Sequence, residues 1–263
     1  MTATAATEET IEIPPWPEDV VPPPSDLPYD DGERMESPWH NGTATLLVAG
    51  YLASRGGRFD DFYAGINMFL YYSSQQVRNR DYKGPDVFFV KNVDGTRKRL
   101  YWAIWDEEGR YPNVIVELLS PSTESTDLNE KKQLYEEVFR TPEYFCIAPQ
   151  VERMYGWRLE KGAYVPIQAD ERGWLWSEEL GLWIGRWEGL FLNLHATWAR
   201  FYHPLGELVL IPEEAEHQRA EAERQRAEAE RQRAEAERQR ADDLAARLSA
   251  LEAELQRLRG EQS

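Results

Sequence analysis

Apolar and polar positions between residues 43 and 148 predict an alternation of helices and strands. Residues 43–55 have the apolar spacing of a helix, and 127–139 form an amphipathic helix whose start, Asp127-x-x-Glu130, resembles a capping box. The predicted strands are the apolar runs 63–71, 87–90, 113–119 and 144–148. The order helix, strands, helix and strand predicts an α/β or α+β domain.

Short strand-like runs follow around 153–159, 163–168 and 181–184. This part of the chain carries many of its ten Trp residues, which exclude a wholly disordered protein. We interpret the Trp residues between 174 and 198 as core and hairpin packing rather than as platforms for nucleic-acid bases.

The end of the chain repeats with a seven-residue period. The sequence RAEAERQ recurs from Arg219, Arg226 and Arg233, and a degenerate copy follows from Arg240. A seven-residue period of helix-forming residues predicts a long helix over 213–263. This helix either stays solitary or forms a coiled coil. We expect a homo-oligomer, such as a dimer, joined through the core, the helix or both.

The charge distribution sets both ends apart from the centre. Of the formal net charge of −17, residues 1–40 carry −9, while 41–212 and 213–263 carry −4 each. We therefore expect a disordered, acidic, Pro-rich arm over 1–28, a folded domain over 29–212 and the helix over 213–263. Such an acidic balance is unfavourable for binding phosphates. The stretch 78–99 runs against it with a net charge of +4, and is either a solvated hairpin or a phosphate-facing surface.

Composition also limits where in the cell the protein is expected. A single cysteine, Cys146, excludes an internal disulfide, and no run of about 18 apolar residues predicts a membrane span. The acidic start lacks the basic region of a signal peptide. We expect a cytoplasmic protein that does not enter the membrane.

Two charged residues lie on predicted buried faces. Glu117 shares one face of its strand with Ile115 and Leu119, where an isolated carboxylate costs several kcal/mol unless a cation pairs with it. Lys131 lies in the middle of the apolar arc of the 127–139 helix. The two residues would explain each other if they paired, with or without a metal ion. Asp86 follows Pro85 at the start of a third apolar run and is either a turn residue or a partner of that pair.

These residues belong to a pattern that resembles a known family. GPDVFFV, VIVELLSPSTESTDLNEKKQLYEE and TPEYFCIAP are similar to motifs of the bacterial "putative restriction endonuclease" family of the PD-(D/E)xK nuclease superfamily. The opening DGERMESPWHNG resembles the start of that family, with Glu33 and His40 at matching places. The lysine of the superfamily usually lies two residues after the glutamate, where this chain has Leu119. The resemblance therefore implies that Lys131 supplies the ammonium group instead. The similarity covers roughly residues 30–205.

The resemblance implies a restriction-endonuclease-like fold, in which helices flank a mixed central sheet, and a metal-dependent DNA endonuclease. Asp86 and Glu117 would bind Mg²⁺ or Mn²⁺, ions that prefer oxygen ligands, and Lys131 would be the third catalytic residue. Glu33, His40 and Tyr135 are accessory candidates. The alternative is a catalytically silent nuclease fold that assembles through its C-terminal helix. A further alternative is a structural Lys131–Glu117 pair without a metal.

Overall fold

The computed structural model describes residue 24 and residues 27–29, 37–79 and 84–260, with side chains described to 253 except that of Ser74. The contacts divide the chain between Val209 and Leu210 into two compact units. Most of the predicted acidic arm lies outside the described residues. Leu27, near the end of that arm, is buried beside Phe69 and Tyr71.

The strands of the first unit form three sheets. Their bounds are β1 Phe62–Ile66, β2 Leu70–Tyr71, β3 Val87–Lys91, β4 Trp102–Ala103, β5 Val114–Leu118, β6 Glu143–Ile147, β7 Met154–Glu160, β8 Ala163–Pro166, β9 Leu175–Ser177, β10 Leu182–Phe191 and β11 Leu194–Tyr202. The central sheet has the order β1-β3-β5-β6-β7-β8, β9 to β11 form an antiparallel sheet, and β2 pairs with β4.

The central sheet is mixed because only β5 and β6 run parallel among its pairs. Parallel neighbours need a crossover connection, and here the crossover contains a helical segment over residues 124–139. Tyr135 and Phe139 of this segment are buried in the same cluster as Ile115 and Leu119 of the β5 region. The predicted fold class, a mixed sheet flanked by helices with a long C-terminal helix, is confirmed.

The 124–139 segment is an irregular helix. Its α-helical turns at Glu124–Thr126 and Lys132–Leu134 alternate with wider π-helical turns at Asp127–Lys131 and Tyr135–Phe139. The predicted capping box is wrong, because the helix begins three residues before Asp127. Wide turns also change the phase of the side chains. At 100° per residue Val138 would share the apolar arc of this helix with Lys131, but Val138 is 48% exposed.

Two further boundaries differ from the prediction. The first helix spans Pro38–Ser54 and starts earlier than expected, because Ser37 caps it and Pro38 follows. The predicted strand 63–71 is wrong as one element. Asn67 has a positive φ of 45° after β1, and the chain then continues into a different sheet at β2.

The second unit contains the long helix, Pro212–Gly260, as the heptad pattern predicts. Its described side chains are almost all exposed. No helix in the described part of the chain is both long enough and apolar enough to cross a membrane.

Candidate active site

The register of the central sheet brings Asp86 next to Glu117. Strands β3 and β5 are antiparallel, and Val87 lies opposite Val116. Asp86 directly precedes β3 and Glu117 is in β5, so both residues lie at the same end of this strand pair. The crossover helix then brings Lys131 to Glu117. The three residues that the sequence singled out therefore meet, although each comes from a different element.

The carboxylates of Asp86 and Glu117 are each held by a backbone N–H of the opposite chain segment. The backbone N–H of Asp86 donates to Glu117 Oε2 at 3.3 Å, and the N–H of Leu118 donates to Asp86 Oδ2 at 2.7 Å. Each carboxylate is therefore held by the strand that carries the other. This arrangement depends on the β3–β5 register rather than on a flexible loop.

Lys131 bridges two buried carboxylates. Its Nζ lies 3.1 Å from Glu117 Oε1 and 2.7 Å from Asp127 Oδ1. Both acids are 1% exposed, whereas the Lys131 side chain is 20% exposed. The ammonium is therefore more open to solvent than the two acids that it contacts.

Tyr135 holds Glu117 from the core side. Its hydroxyl donates to Glu117 Oε1 at 2.9 Å, and its side chain is fully buried. Burial, reinforced by the Glu117 charge, holds the pKa of Tyr135 well above its ordinary value, so the phenol stays protonated and remains a donor. Both carboxylate oxygens of Glu117 therefore have partners: Tyr135 and Lys131 at Oε1, and the Asp86 N–H at Oε2.

The electrostatics of the cluster follow from burial and from three acids near one ammonium. Burial raises the pKa of Glu117 to about 8; Lys131 opposes this shift, while Asp86 and Asp127 add to it. The pKa of Asp86 is also raised, chiefly by burial. Burial alone would lower the pKa of Lys131, but the attraction of Glu117 and Asp127 raises it, so this residue stays an ammonium.

The capping pattern predicts Asp127 as a helix cap, whereas the structure places it in the acid–lysine cluster. It is almost fully buried and contacts Lys131 four residues further along the helix. The spacing carried a signal, because an acid and a lysine at i and i+4 face each other on a helix. Asp127 precedes Leu128 by one residue, which places it on the same apolar arc as Lys131 when 100° per residue is assumed.

The other accessory candidates lie elsewhere or outside the described residues. Glu33 belongs to a segment that is not described. His40 is buried in the first helix, with Nδ1 2.7 Å from Ser37 Oγ and its ring edge-on to Trp39. His40 Nε2 has no partner among the described residues. The structure therefore places Tyr135, but not His40, in the cluster.

Within the described part of the basic stretch 78–99, the cluster of Arg97, Lys98 and Arg99 is separated from Asp86 along the chain by β3. Arg97, Lys98 and Arg99 follow the far end of β3, and the last residue of that strand, Lys91, is about 16 Å from Asp86 at 3.3 Å per residue. The Arg99 side chain is only 4% exposed and pairs with Glu107 through two hydrogen bonds of 2.8 and 3.0 Å. The expectation that the whole stretch meets phosphates is therefore wrong for Arg99.

A second buried glutamate in the central sheet shows what a purely structural acid looks like here. Glu143 of β6 accepts hydrogen bonds from Ser177 Oγ and the backbone N–H of Glu178, and pairs with Arg158 at 2.9 Å. These partners tie β6 to β7 and β9. Glu117 instead faces Asp86 and a partly exposed ammonium, so its partners are acidic as well as basic.

The donor set suits a hard divalent cation. Asp86 and Glu117 supply carboxylate oxygens, and their mutual repulsion is the kind of cost that a dication removes. Within the described residues, no group of three or more His, Cys, Asp or Glu side chains is arranged to hold an ion. Asp86 and Glu117 would therefore need water or backbone oxygen to complete the shell, as Mg²⁺ commonly does.

The mixed sheet with a buried acid–lysine cluster at one end fits the restriction-endonuclease-like resemblance, and a comparison with family models supports that resemblance. The model of the Uma2 family, described as "Putative restriction endonuclease", matches residues 12–196, and the chain belongs to this family. The resemblance found in the sequence motifs is thereby confirmed.

One similar solved structure is a "putative nuclease belonging to DUF820" from Anabaena variabilis. It is 13% identical, covers 58% of this chain and 81% of its own, and has a TM-score of 0.40. No curated protein matches the chain.

Proposed function

We propose that this protein is a metal-dependent endonuclease that hydrolyses DNA phosphodiester bonds. The observation that carries the proposal is the contact of Lys131 with Glu117, whose carboxylate accepts a hydrogen bond from the Asp86 N–H. The Asp86 carboxylate in turn accepts one from the N–H of Leu118. Membership of the Uma2 family supports a nuclease, and this acid–acid–lysine grouping supports its dependence on a divalent ion.

The proposed roles follow from the contacts. Asp86 and Glu117 would hold Mg²⁺ or Mn²⁺, which when bound supplies Lewis-acid polarisation of a phosphoryl oxygen. Lys131, partly open to solvent, would orient the attacking water or stabilise the developing negative charge. Tyr135 would fix the Glu117 carboxylate, and Asp127 would fix the Lys131 ammonium.

The position of Leu119 supports a relocated lysine. The superfamily usually places its lysine two residues after the acid, but Leu119 is 1% exposed and packs in a core cluster with Ile115 and Tyr135. A lysine there would need to bury its charge among apolar side chains. Lys131 reaches Glu117 from the helix instead and keeps one-fifth of its surface exposed.

Plasmid cleavage with Mg²⁺ or Mn²⁺ tests the proposal. The wild-type protein should cleave the plasmid, Asp86→Ala should abolish cleavage, and Lys131→Met should lower its rate by about 10²–10³-fold. Lys132→Met is the matched control, because Lys132 is the next residue on the same helix and contacts Trp157 rather than the acids. Equal cleavage by wild type, Asp86→Ala and Lys131→Met would refute the nuclease proposal.

A catalytically silent interaction protein is the second candidate. The net charge of −17 disfavours DNA binding, and the long exposed helix offers a surface for assembly. This candidate predicts no binding of divalent ions. A calorimetric Mg²⁺ signal that disappears in Glu117→Gln would count against it.

A further inference from the structure

The C-terminal helix carries an unpartnered row of leucines. Leu244, Leu248 and Leu251 are each about three-fifths exposed and are spaced by four and then three residues. The sequence continues the same spacing to Leu255 and Leu258. We call these five residues the leucine stripe. Alternating steps of four and three place a stripe on the seam of a coiled coil.

We propose that the leucine stripe binds a second copy of this chain as a parallel, two-stranded coiled coil confined to residues 241–260. The proposal rests on the helix alone and is independent of the proposed nuclease function. The argument for the occupant comes from the charges beside the stripe, which select the partner and its direction.

Charged residues flank the stripe in complementary pairs. In the register with Leu248 and Leu255 at a, Arg247 and Glu254 are g positions, while Glu252 and Arg259 are e positions. In a parallel dimer each g position faces the e position of the partner's next heptad. Arg247 then faces the partner's Glu252, and Glu254 faces the partner's Arg259. Both pairs occur twice by symmetry, and all four have opposite charges.

An antiparallel pairing forms fewer leucine–leucine layers and fewer attractive charge pairs. The alignment that brings Arg247 beside the partner's Glu254 pairs Leu244 with the partner's Leu255, but it leaves Leu258 opposite Ala241. The parallel arrangement aligns all five leucine layers and all four charge pairs. It therefore accounts for more of the sequence pattern.

The same register explains why the coiled coil would stop near residue 241. In the preceding repeats Glu223, Glu230 and Glu237 occupy d positions. Arg occupies both the e and g positions there, as at Arg224 and Arg226, so that like charges would face each other in a parallel pair. The repeats thus resist pairing, and the stripe alone provides the contact surface.

Sedimentation equilibrium of the full-length chain over a wide concentration range tests the proposal. The wild type should be a concentration-dependent dimer. Leu248→Glu, which places a charge in the seam, should be a monomer, while Ser249→Glu, which places the same charge outside the seam, should remain a dimer. Circular dichroism checks that both variants keep their helix content.

Charge exchange tests the direction. Arg247→Glu alone should weaken the dimer on the order of ten-fold, because two attractive pairs become repulsive. Adding Glu252→Arg should restore it in a parallel dimer, since the pair is then attractive with the signs exchanged. A monomeric wild type, a dimeric Leu248→Glu variant, or a double variant no stronger than Arg247→Glu would each overturn the proposal.

Discussion

The backbone N–H of Asp86 donates to the carboxylate of Glu117 at 3.3 Å. In return, the residue after Glu117 donates its N–H to the carboxylate of Asp86 at 2.7 Å. Because both links run between β3 and β5, the spacing of the two acids is set by the pairing of these strands. Substitutions on the crossover helix should therefore remove or shift the Lys131 ammonium without displacing Asp86 and Glu117.

Loss of the Lys131 ammonium should reduce cleavage more than it reduces folding. We expect Lys131→Met to lower the rate by about 10²–10³-fold, the range observed when one preorganised charge-stabilising donor is removed. Cleavage assays and thermal unfolding should be compared with those of Lys132→Met. A Lys131→Met enzyme as active as Lys132→Met would exclude a catalytic role for this lysine.

The free energy of unfolding of the metal-free protein should depend on pH through the titration of Glu117. Its pKa is raised from 4.5 to about 8, so its contribution to stability is fully present below pH 4.5 and is lost as the pH rises through about 8. Urea unfolding in the presence of a chelator should show this loss as a difference between wild type and Glu117→Gln. Glu130→Gln, which removes an exposed carboxylate from the crossover helix, should retain the wild-type pH dependence.

Metal binding should compete with the proton on Glu117. A divalent ion requires the carboxylate, so the affinity for Mg²⁺ or Mn²⁺ should rise as the pH approaches 8, and binding should release protons. Calorimetry in buffers of different ionisation enthalpy measures the released protons directly. Binding that neither releases protons nor changes with pH would place the ion elsewhere.

The Tyr135 hydroxyl should matter for activity beyond its contribution to stability. Tyr135→Phe removes the donor to Glu117 Oε1 and should cost about 1 kcal/mol of stability. Tyr164→Phe is the matched control, because its buried hydroxyl donates to the backbone oxygen of Thr141. Both variants should lose similar stability in urea unfolding, but only Tyr135→Phe should lose cleavage. Equal activity in the two would make Tyr135 a purely structural residue.

Asp127 should act through Lys131 and Glu117. Asp127→Asn removes a negative charge that raises the pKa of Glu117, so the pH dependence of metal-free stability should move to lower pH. It also replaces the 2.7 Å ion pair with Lys131 by a neutral acceptor, which should lower the cleavage rate about ten-fold. An unchanged pH profile would show that Asp127 does not influence the pair.

The sequence allowed the central strands and most of the cluster to be predicted. The strands β3, β5 and β6 are short, mostly apolar and buried except at Lys91, which makes them recognisable. Glu117 and Lys131 were found because each conflicts with the apolar face around it. Conflicts between local pattern and residue chemistry concentrate at functional sites, so they locate such residues even before the fold is known.

The remaining features depend on contacts that local patterns do not encode. The long β10–β11 hairpin was missed beyond residue 184, partly because Gly185 and Gly189 weaken its strand pattern. In the fold these glycines leave room for the rings of Trp174 and Trp187, where a Cβ would approach within 2.6 and 2.2 Å. Asp127 was missed because the helix begins earlier than its capping pattern indicates.

The wide turns of the crossover helix give a single deletion an unusual effect. Each π-helical turn holds one residue more than an α-helical turn, so losing one residue from Asp127–Lys131 would restore ordinary winding and swing Lys131 away from Glu117. The strands on either side would keep their pairing. A lineage could thus lose the Lys131–Glu117 contact with one codon while keeping a folded, expressible protein.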